Sequence, residues 1–162
     1  MKYNFSAITC LLIVSALMSS CSTRSLQLSS PDNTVKVSFT LVDGRPQYTV
    51  TKNDKPVIQP SAMGFRLLQQ ADQPTRYTLL STEIDSADER WEQPWGEFRY
   101  IQDRHHSLIV HLSEAGGKKS LLDIHFRVFD DGVGFRYSFP EQNGPDSVVI
   151  LDELTQFTFT GD

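Results

Sequence analysis

Several common routes to stability and function are closed to this sequence. It has two cysteines, Cys10 and Cys21, and Cys10 sits in an amino-terminal leader, so a mature chain has no partner with which to form an internal disulfide. Basic character is also short: fifteen Lys and Arg stand against twenty Asp and Glu for a net charge of -5. No basic run or stripe exists to neutralise phosphates, which excludes nucleic acid as a partner. G-x-S-x-G, a P-loop and G-x-G-x-x-G are all absent, and with them the usual nucleophile elbow and nucleotide cradles. No window sustains a 3.6-residue apolar period, so helices are not expected. No fixed-period repeat or low-complexity tract follows Cys21. At 162 residues the chain can hold one domain with a core, but not a sandwich plus a second catalytic domain.

One apolar run is present, Ala7 to Met18 behind Lys2. It is too short for an ordinary membrane span and suits the apolar region of a secretory signal. It ends in Leu17-Met18-Ser19-Ser20-Cys21, small residues before a cysteine, which resembles a bacterial lipobox. The expectation is a lipoprotein signal over residues 1–20, lipid on Cys21, a flexible linker over 21–25 and a folded domain over 26–162. The alternative is a plain signal cut near Ser20. Lipidation implies an exported, membrane-anchored protein on the periplasmic or outer-membrane face.

What fills the rest is alternation. In Leu121 to Pro140 the apolar residues Leu122, Ile124, Phe126 and Val128 are interleaved with Asp123, His125 and Arg127. After Asp130-Asp131-Gly132-Val133-Gly134, which tolerate positive φ, comes a second run with Phe135, Tyr137 and Phe139. This predicts a β-hairpin with an aromatic face. Leu26 and Leu28 predict a first strand, and Val35, Val37, Phe39 and Leu41 a second. Turns over Asp43-Gly44-Arg45-Pro46 and Lys52-Asn53-Asp54-Lys55 lead into strands over Gln47 to Thr51 and Pro56 to Ile58. Met63 to Leu68, Tyr77 to Leu80, Phe98 to Gln102, Ser107 to Leu112, Val148 to Leu151 and Gln156 to Phe159 are further strand candidates. Ser81 to Glu92, polar and acidic without a clear period, reads as a long surface loop, and Glu114 to Lys118 and Glu141 to Ser147 read as turns. Many short strands with frequent turn signals predict an all-β antiparallel sandwich. The apolar strand at Phe157 and Phe159, three residues before Asp162, suggests a fragment of something longer.

Glu89-Arg90-Trp91-Glu92-Gln93-Pro94-Trp95-Gly96-Glu97 holds both tryptophans beside three carboxylates. Indole faces stack on the C–H faces of sugars while acids accept from hydroxyls, making Trp91, Trp95 and Glu97 candidate substrate-binding residues. The bland alternative puts the indoles against the sandwich edge and the acids in solvent. His105 and His106 are adjacent and point to opposite faces of a strand, so they do not share an ion easily. His111 and His125 fall on neighbouring strands where they can face each other, but no further ligand spacing supports zinc. The histidines are therefore expected on the surface, and no metal site is assigned. Asp130 and Asp131 lack the alternate oxygen ligands and closing Glu of a calcium loop and are read as a turn.

Taken together, Ser30-Pro31-Asp32-Asn33, Trp91-Glu92-Gln93-Pro94-Trp95-Gly96-Glu97, the run from Ile124 to Tyr137, and Gln156-Phe157 before Gly161-Asp162 resemble the amino-terminal domain of glycoside hydrolase family 97 along essentially the whole mature chain. The resemblance implies part of a galactose-mutarotase-like β-super-sandwich that packs on a (β/α)₈ barrel and helps wall its active site, in an exported α-glucosidase or α-galactosidase acting on oligosaccharides. It implies that the catalytic pair belongs to the barrel and that calcium sits in the active site of the full-length enzyme. The family's calcium-binding glutamate from this domain falls beyond Asp162, so no catalytic or metal residue and no cofactor is assigned within this chain. The competing expectations are a free-standing carbohydrate-binding lipoprotein without hydrolase activity and a structural surface module with no ligand.

Overall fold

Tight turns and alternating faces build the first sheet. Strands β1 (Leu26–Ser29), β2 (Val35–Val42), β3 (Arg45–Lys52) and β4 (Lys55–Ala62) pair antiparallel in that order. The β2–β3 turn places Asp43 at φ 51° and Gly44 at φ 77°; the β3–β4 turn places Asn53 at φ 51° and Asp54 at φ 59°. Two-residue loops of this hand match the right-handed strand twist, and Gly, Asn and Asp are the residues that tolerate the geometry. Gly44 is required for space as well, since a Cβ there would meet the Arg76 Cβ at 3.0 Å. The computed structural model describes residues 25–68, 76–114, 121–140 and 148–161. The expected signal, Cys21, most of the linker and the turns over 115–118 and 141–147 lie outside the described residues.

A second sheet takes β6 (Tyr77–Glu92), β7 (Tyr100–Glu114), β8 (Leu122–Val128) and β9 (Val133–Ser138) in sequence order, again antiparallel. The expected all-β antiparallel sandwich is present, and the described residues contain no α-helix. Its inner faces are the alternating rows read from the sequence: Val35, Val37 and Phe39 of β2 and Tyr48 and Val50 of β3 face Leu108, Val110 and Leu112 of β7 and Leu122, Ile124, Phe126 and Val128 of β8. The layers meet in aromatic edge contacts, Phe39 on Phe126 with centroids 6.2 Å apart and Tyr48 on Phe135 at 5.3 Å.

The last described residues add a small two-stranded sheet and a ribbon beside the first sheet. β5 (Phe65–Leu67) continues the line of β4, and β10 (Ile150–Glu153) pairs with it through a register shift. Residues 154–160 then run along β4 as its outer neighbour, with Gln156 N–H donating to the Ala62 carbonyl, Gln59 N–H to Thr158 and Thr160 N–H to Val57. The Tyr48 hydroxyl ties this ribbon down by donating to the Gln156 carbonyl at 2.9 Å, and burial pushes its pKa up to about 12. Gln156 to Phe159, expected as a strand, makes a single ladder bridge, Ile58 with Phe159.

Three further expectations are corrected. Ser81 to Glu92 is not a loop but most of a sixteen-residue strand. From Leu80 onward nearly all of β6 is exposed on both faces, so burial imposes no alternation on its sequence, and pairing with β7 alone holds it extended. Phe98 to Gln102 and Ser107 to Leu112 are not separate strands, because β7 runs unbroken from Tyr100 to Glu114. The β8–β9 turn needs no positive φ: Gly132 and Gly134 have ordinary backbone angles, and Phe129 N–H donating to the Gly132 carbonyl at 2.8 Å closes it.

Candidate functional site

The β6–β7 hairpin carries the tryptophan segment at its tip, beyond the reach of the opposing sheet. Gln93 holds the tip twice: its backbone N–H donates to the Arg99 carbonyl at 2.9 Å and its Nε2 to the Phe98 carbonyl at 2.8 Å. Gly96 stands at φ 120°, and a Cβ there would come within 2.6 Å of that Nε2, so the tip sequence needs glycine. Arg99 Nε donates to Glu92 Oε1 at 2.8 Å. The guanidinium groups of Arg90 and Arg99 lie over the Tyr100 ring at 4.3 and 5.4 Å.

This scaffold displays the candidate residues without assembling them into a pocket. Trp91 pairs across the ladder with Ile101, so it sits on the face opposite Arg90, Glu92 and Tyr100. It is 45% exposed, Trp95 at the turn is 84% exposed, and Glu97 beside it is exposed too. The indoles are therefore not plugs in the sandwich edge. The exposed face of Trp95 beside the Glu97 carboxylate is the part of this tip that can stack on a hydroxyl-rich ligand.

A second polar cluster lies on the outer face of the same sheet. A cavity of about 350 Å³ is lined by Asp85, Glu89, Asp103, His105, Arg127 and Arg136 among others. Asp103 bridges His105 and Arg127, and the His105 ring rests on Phe129 with centroids 5.0 Å apart. That ring contact leaves His105 only 5% exposed, which corrects the expectation that the histidines lie on the surface. Its missed signal is Phe129, the aromatic residue that continues the outer row of β8. His111 faces Asp123, not His125, across the ladder. It is clamped between Asp123 at 2.8 Å and Glu83 at 3.2 Å. His125 contacts the Ser138 hydroxyl at 2.7 Å, and burial, helped by the nearby Arg136 charge, lowers its pKa.

The turns meet at one end of the sandwich. Asp130 and Arg104 form an ion pair there, and Asp32 accepts from Ser30 and Thr34, which holds its carboxyl well below the usual carboxylate range. Among the described residues no three His, Cys, Asp or Glu side chains are grouped so as to hold a metal ion. Among the described residues the calcium that the resemblance implies for the full-length enzyme finds no fitting donor set.

Comparison with known proteins gives one consistent answer. The sequence model of the family described as "Glycosyl-hydrolase 97 N-terminal" matches residues 28–162. A retaining alpha-galactosidase of Bacteroides thetaiotaomicron is 23% identical over 152 residues, which are 94% of this chain and 22% of that protein. A glycoside hydrolase family 97 enzyme from Pseudoalteromonas sp. strain K8, solved with panose and with acarbose, superposes with a TM-score of 0.74 at 31% identity over 83% of this chain and 20% of that one. A beta-arabinopyranosidase superposes with a TM-score of 0.74 at 28% identity, over 83% of this chain and 21% of its own. The chain thus spans about a fifth of the length of each of these relatives.

Proposed function

Because the chain belongs to the amino-terminal domain family of glycoside hydrolase 97, we propose that it is the non-catalytic amino-terminal portion of an exported α-glycosidase, an α-glucosidase or α-galactosidase acting on α-linked oligosaccharides. Its part in that enzyme is to pack on a (β/α)₈ barrel and shape the mouth of the active site. The observation that carries this reading is the family match over residues 28–162, supported by superposition on an enzyme solved with panose and acarbose. Hydrolysis of a glycosidic bond takes two carboxyl groups placed on either side of it. In this reading the barrel supplies both, and calcium binds there and not in this chain.

The anchoring half of the proposal rests on Cys21. Lipid on that cysteine holds the domain at a membrane surface through residues 21–25. Cys21→Ser moves the protein from the membrane fraction to the soluble one; an unchanged membrane fraction, or an intact mass showing cleavage elsewhere, counts against it.

The activity half is tested on purified chain with p-nitrophenyl α-glucoside and α-galactoside in the presence of calcium. No turnover above buffer is expected, and calcium-dependent hydrolysis overturns the assignment. Exposure of Trp91 and Trp95 favours one second reading, a free-standing carbohydrate-binding lipoprotein. Calorimetric titration of the isolated chain with panose decides it: saturable heat that disappears in Trp95→Ala supports the second reading over the first.

A further inference from the structure

A cavity of about 360 Å³ lies between the start of β3, the β4–β5 link and the residues that leave β10 for the ribbon, apart from both the tryptophan tip and the outer-face cluster. Its floor is apolar and fixed. Pro46, Met63 and Tyr77 are buried, and Phe65 packs edge-on against Tyr137 with centroids 4.7 Å apart. The Met63 N–H donates to the Pro46 carbonyl at 3.0 Å, which ties the β4–β5 link to β3 beneath the cavity.

The wall of the cavity is polar and held residue by residue. Leu154 N–H donates to the Gly64 carbonyl at 2.8 Å and Gln156 N–H to the Ala62 carbonyl at 2.9 Å, while the Tyr48 hydroxyl donates to the Gln156 carbonyl. A relay fixes the residue between them. Gly64 N–H donates to the Tyr137 hydroxyl at 3.2 Å, that hydroxyl donates to Thr155 Oγ1 at 2.7 Å, and Thr155 donates to Glu153 Oε1 at 2.7 Å. Each hydroxyl has one proton to give, so the relay runs in this direction. Burial raises the pKa of Tyr137, which keeps its proton in place. Glu153 is thus fixed by one oxygen and presents Oε2 as an acceptor. Gln156 Oε1 accepts the Ala62 N–H at 3.3 Å, leaving Nε2 to donate. Arg45, on the β3 side, lines the same cavity and has no ion-pair partner among the described residues.

We propose that this cavity is a binding site for a single neutral hexopyranose, seated with its C–H face on Met63 and Phe65 and its hydroxyls toward Arg45, Glu153 and Gln156. The choice of a hexose rests on the proposed function, since it is the ring an α-glycosidase releases; the cavity itself does not. A sugar hydroxyl both donates and accepts, and this site offers donors in Arg45 and Gln156 and an acceptor in Glu153. The one cation and one anion balance, so no net charge is asked of the ligand. Ligand pockets run from roughly 300 to 1,000 Å³, and a cavity at the low end of that range suits one ring and not a chain. Because the relay and the ribbon bonds set Glu153 and Gln156 in place beforehand, little ordering is left for binding to supply.

Met63 is the only methionine after Met18, so its methyl group reports on the cavity floor. The test titrates the full chain, labelled at the methionine methyls with carbon-13, with D-glucose, D-galactose and, as a non-cyclic polyol, glycerol. A saturable shift of the Met63 signal with at least one hexose in the millimolar range is expected, and none with glycerol. Arg45→Ala and Glu153→Gln replace exposed side chains and should each weaken binding at least about tenfold, with Trp95→Ala binding like the native chain. The site is overturned if neither hexose gives a saturable shift, if glycerol shifts the signal equally, or if both rim variants bind as tightly as the native chain. Binding lost in Trp95→Ala places the sugar at the hairpin tip and overturns this cavity as well. None of these failures bears on the family match or on the absence of turnover, whereas calcium-dependent hydrolysis by the chain alone overturns the proposed function and leaves the cavity result standing.

Discussion

Asp130, in the β8–β9 turn, accepts the backbone N–H of Asp32, in the β1–β2 turn, at 2.9 Å. The bond joins residues 98 positions apart and pins the first hairpin of one sheet to the β8–β9 hairpin at the edge of the other. Asp130→Ala removes it together with the Arg104 ion pair. The expected cost is about 1 kcal/mol, since a hydrogen bond nets that much and a half-exposed ion pair adds little. Urea denaturation reads it directly; a loss indistinguishable from zero shows that the turns hold each other without this bond. The same end of the molecule carries an acid sensitivity. Asp32 is held below its ordinary pKa of 3.8 chiefly by the Ser30 hydroxyl and the Thr34 backbone. Its contribution is therefore complete above pH 3.8 and is lost as pH falls through the depressed folded value.

Gly44 makes a second, sharper case. It combines a φ of 77° with a Cβ position 3.0 Å from the Arg76 side chain and 3.2 Å from the Tyr77 carbonyl, and its own carbonyl accepts the Tyr77 N–H at 2.7 Å. Gly44→Ala is expected to cost about 2 kcal/mol, strain and crowding acting together. Gly132→Ala is the control, because its φ is ordinary and nothing lies within 4 Å of the added carbon; it should be neutral or slightly stabilising. Equal losses at the two sites would refute this account of the β2–β3 turn.

These contrasts show where the sequence speaks clearly. Val35, Val37 and Phe39, like Leu122, Ile124, Phe126 and Val128, alternate because one face of each strand lies in the apolar core while the other carries polar residues, among them the buried Asp123 with its His111 partner. Asp43-Gly44 and Asn53-Asp54 announce turns because few other residues accept their φ. β6 left no such mark. With both faces in water, Ser81 to Glu92 is free to be polar throughout, and its strand character comes from the β7 ladder, which only the fold provides. At the candidate site the tryptophans and Glu97 were visible as residue types. The outer-face cluster was not: Asp103, His105 and Arg127 come from two strands, and only the β7–β8 register brings them together.

His125 gives a pH prediction on that outer face. Burial first, and then Arg136, lowers its folded pKa below the unfolded value of 6.5. The unfolded state therefore binds the proton more readily between the two values. Stability should be full above pH 6.5 and decline as pH falls toward the folded value, then level off with respect to this group. His125→Gln should flatten that slope in thermal melts across the range. A slope unchanged in the variant assigns the pH dependence to other groups.

The hairpin tip yields the last expectation. Trp91 and Trp95 are the only tryptophans in the chain, so intrinsic fluorescence reports on the tip alone. With Trp95 84% exposed and Trp91 45% exposed, emission should be red-shifted, dominated by Trp95 and readily quenched by acrylamide. Neither ring supports the sandwich core, so Trp95→Ala should change stability by no more than about 0.5 kcal/mol, where a buried indole would cost about 3–5 kcal/mol. A blue-shifted spectrum protected from acrylamide, or a loss in Trp95→Ala near the buried-indole figure, would place the rings inside the sandwich instead.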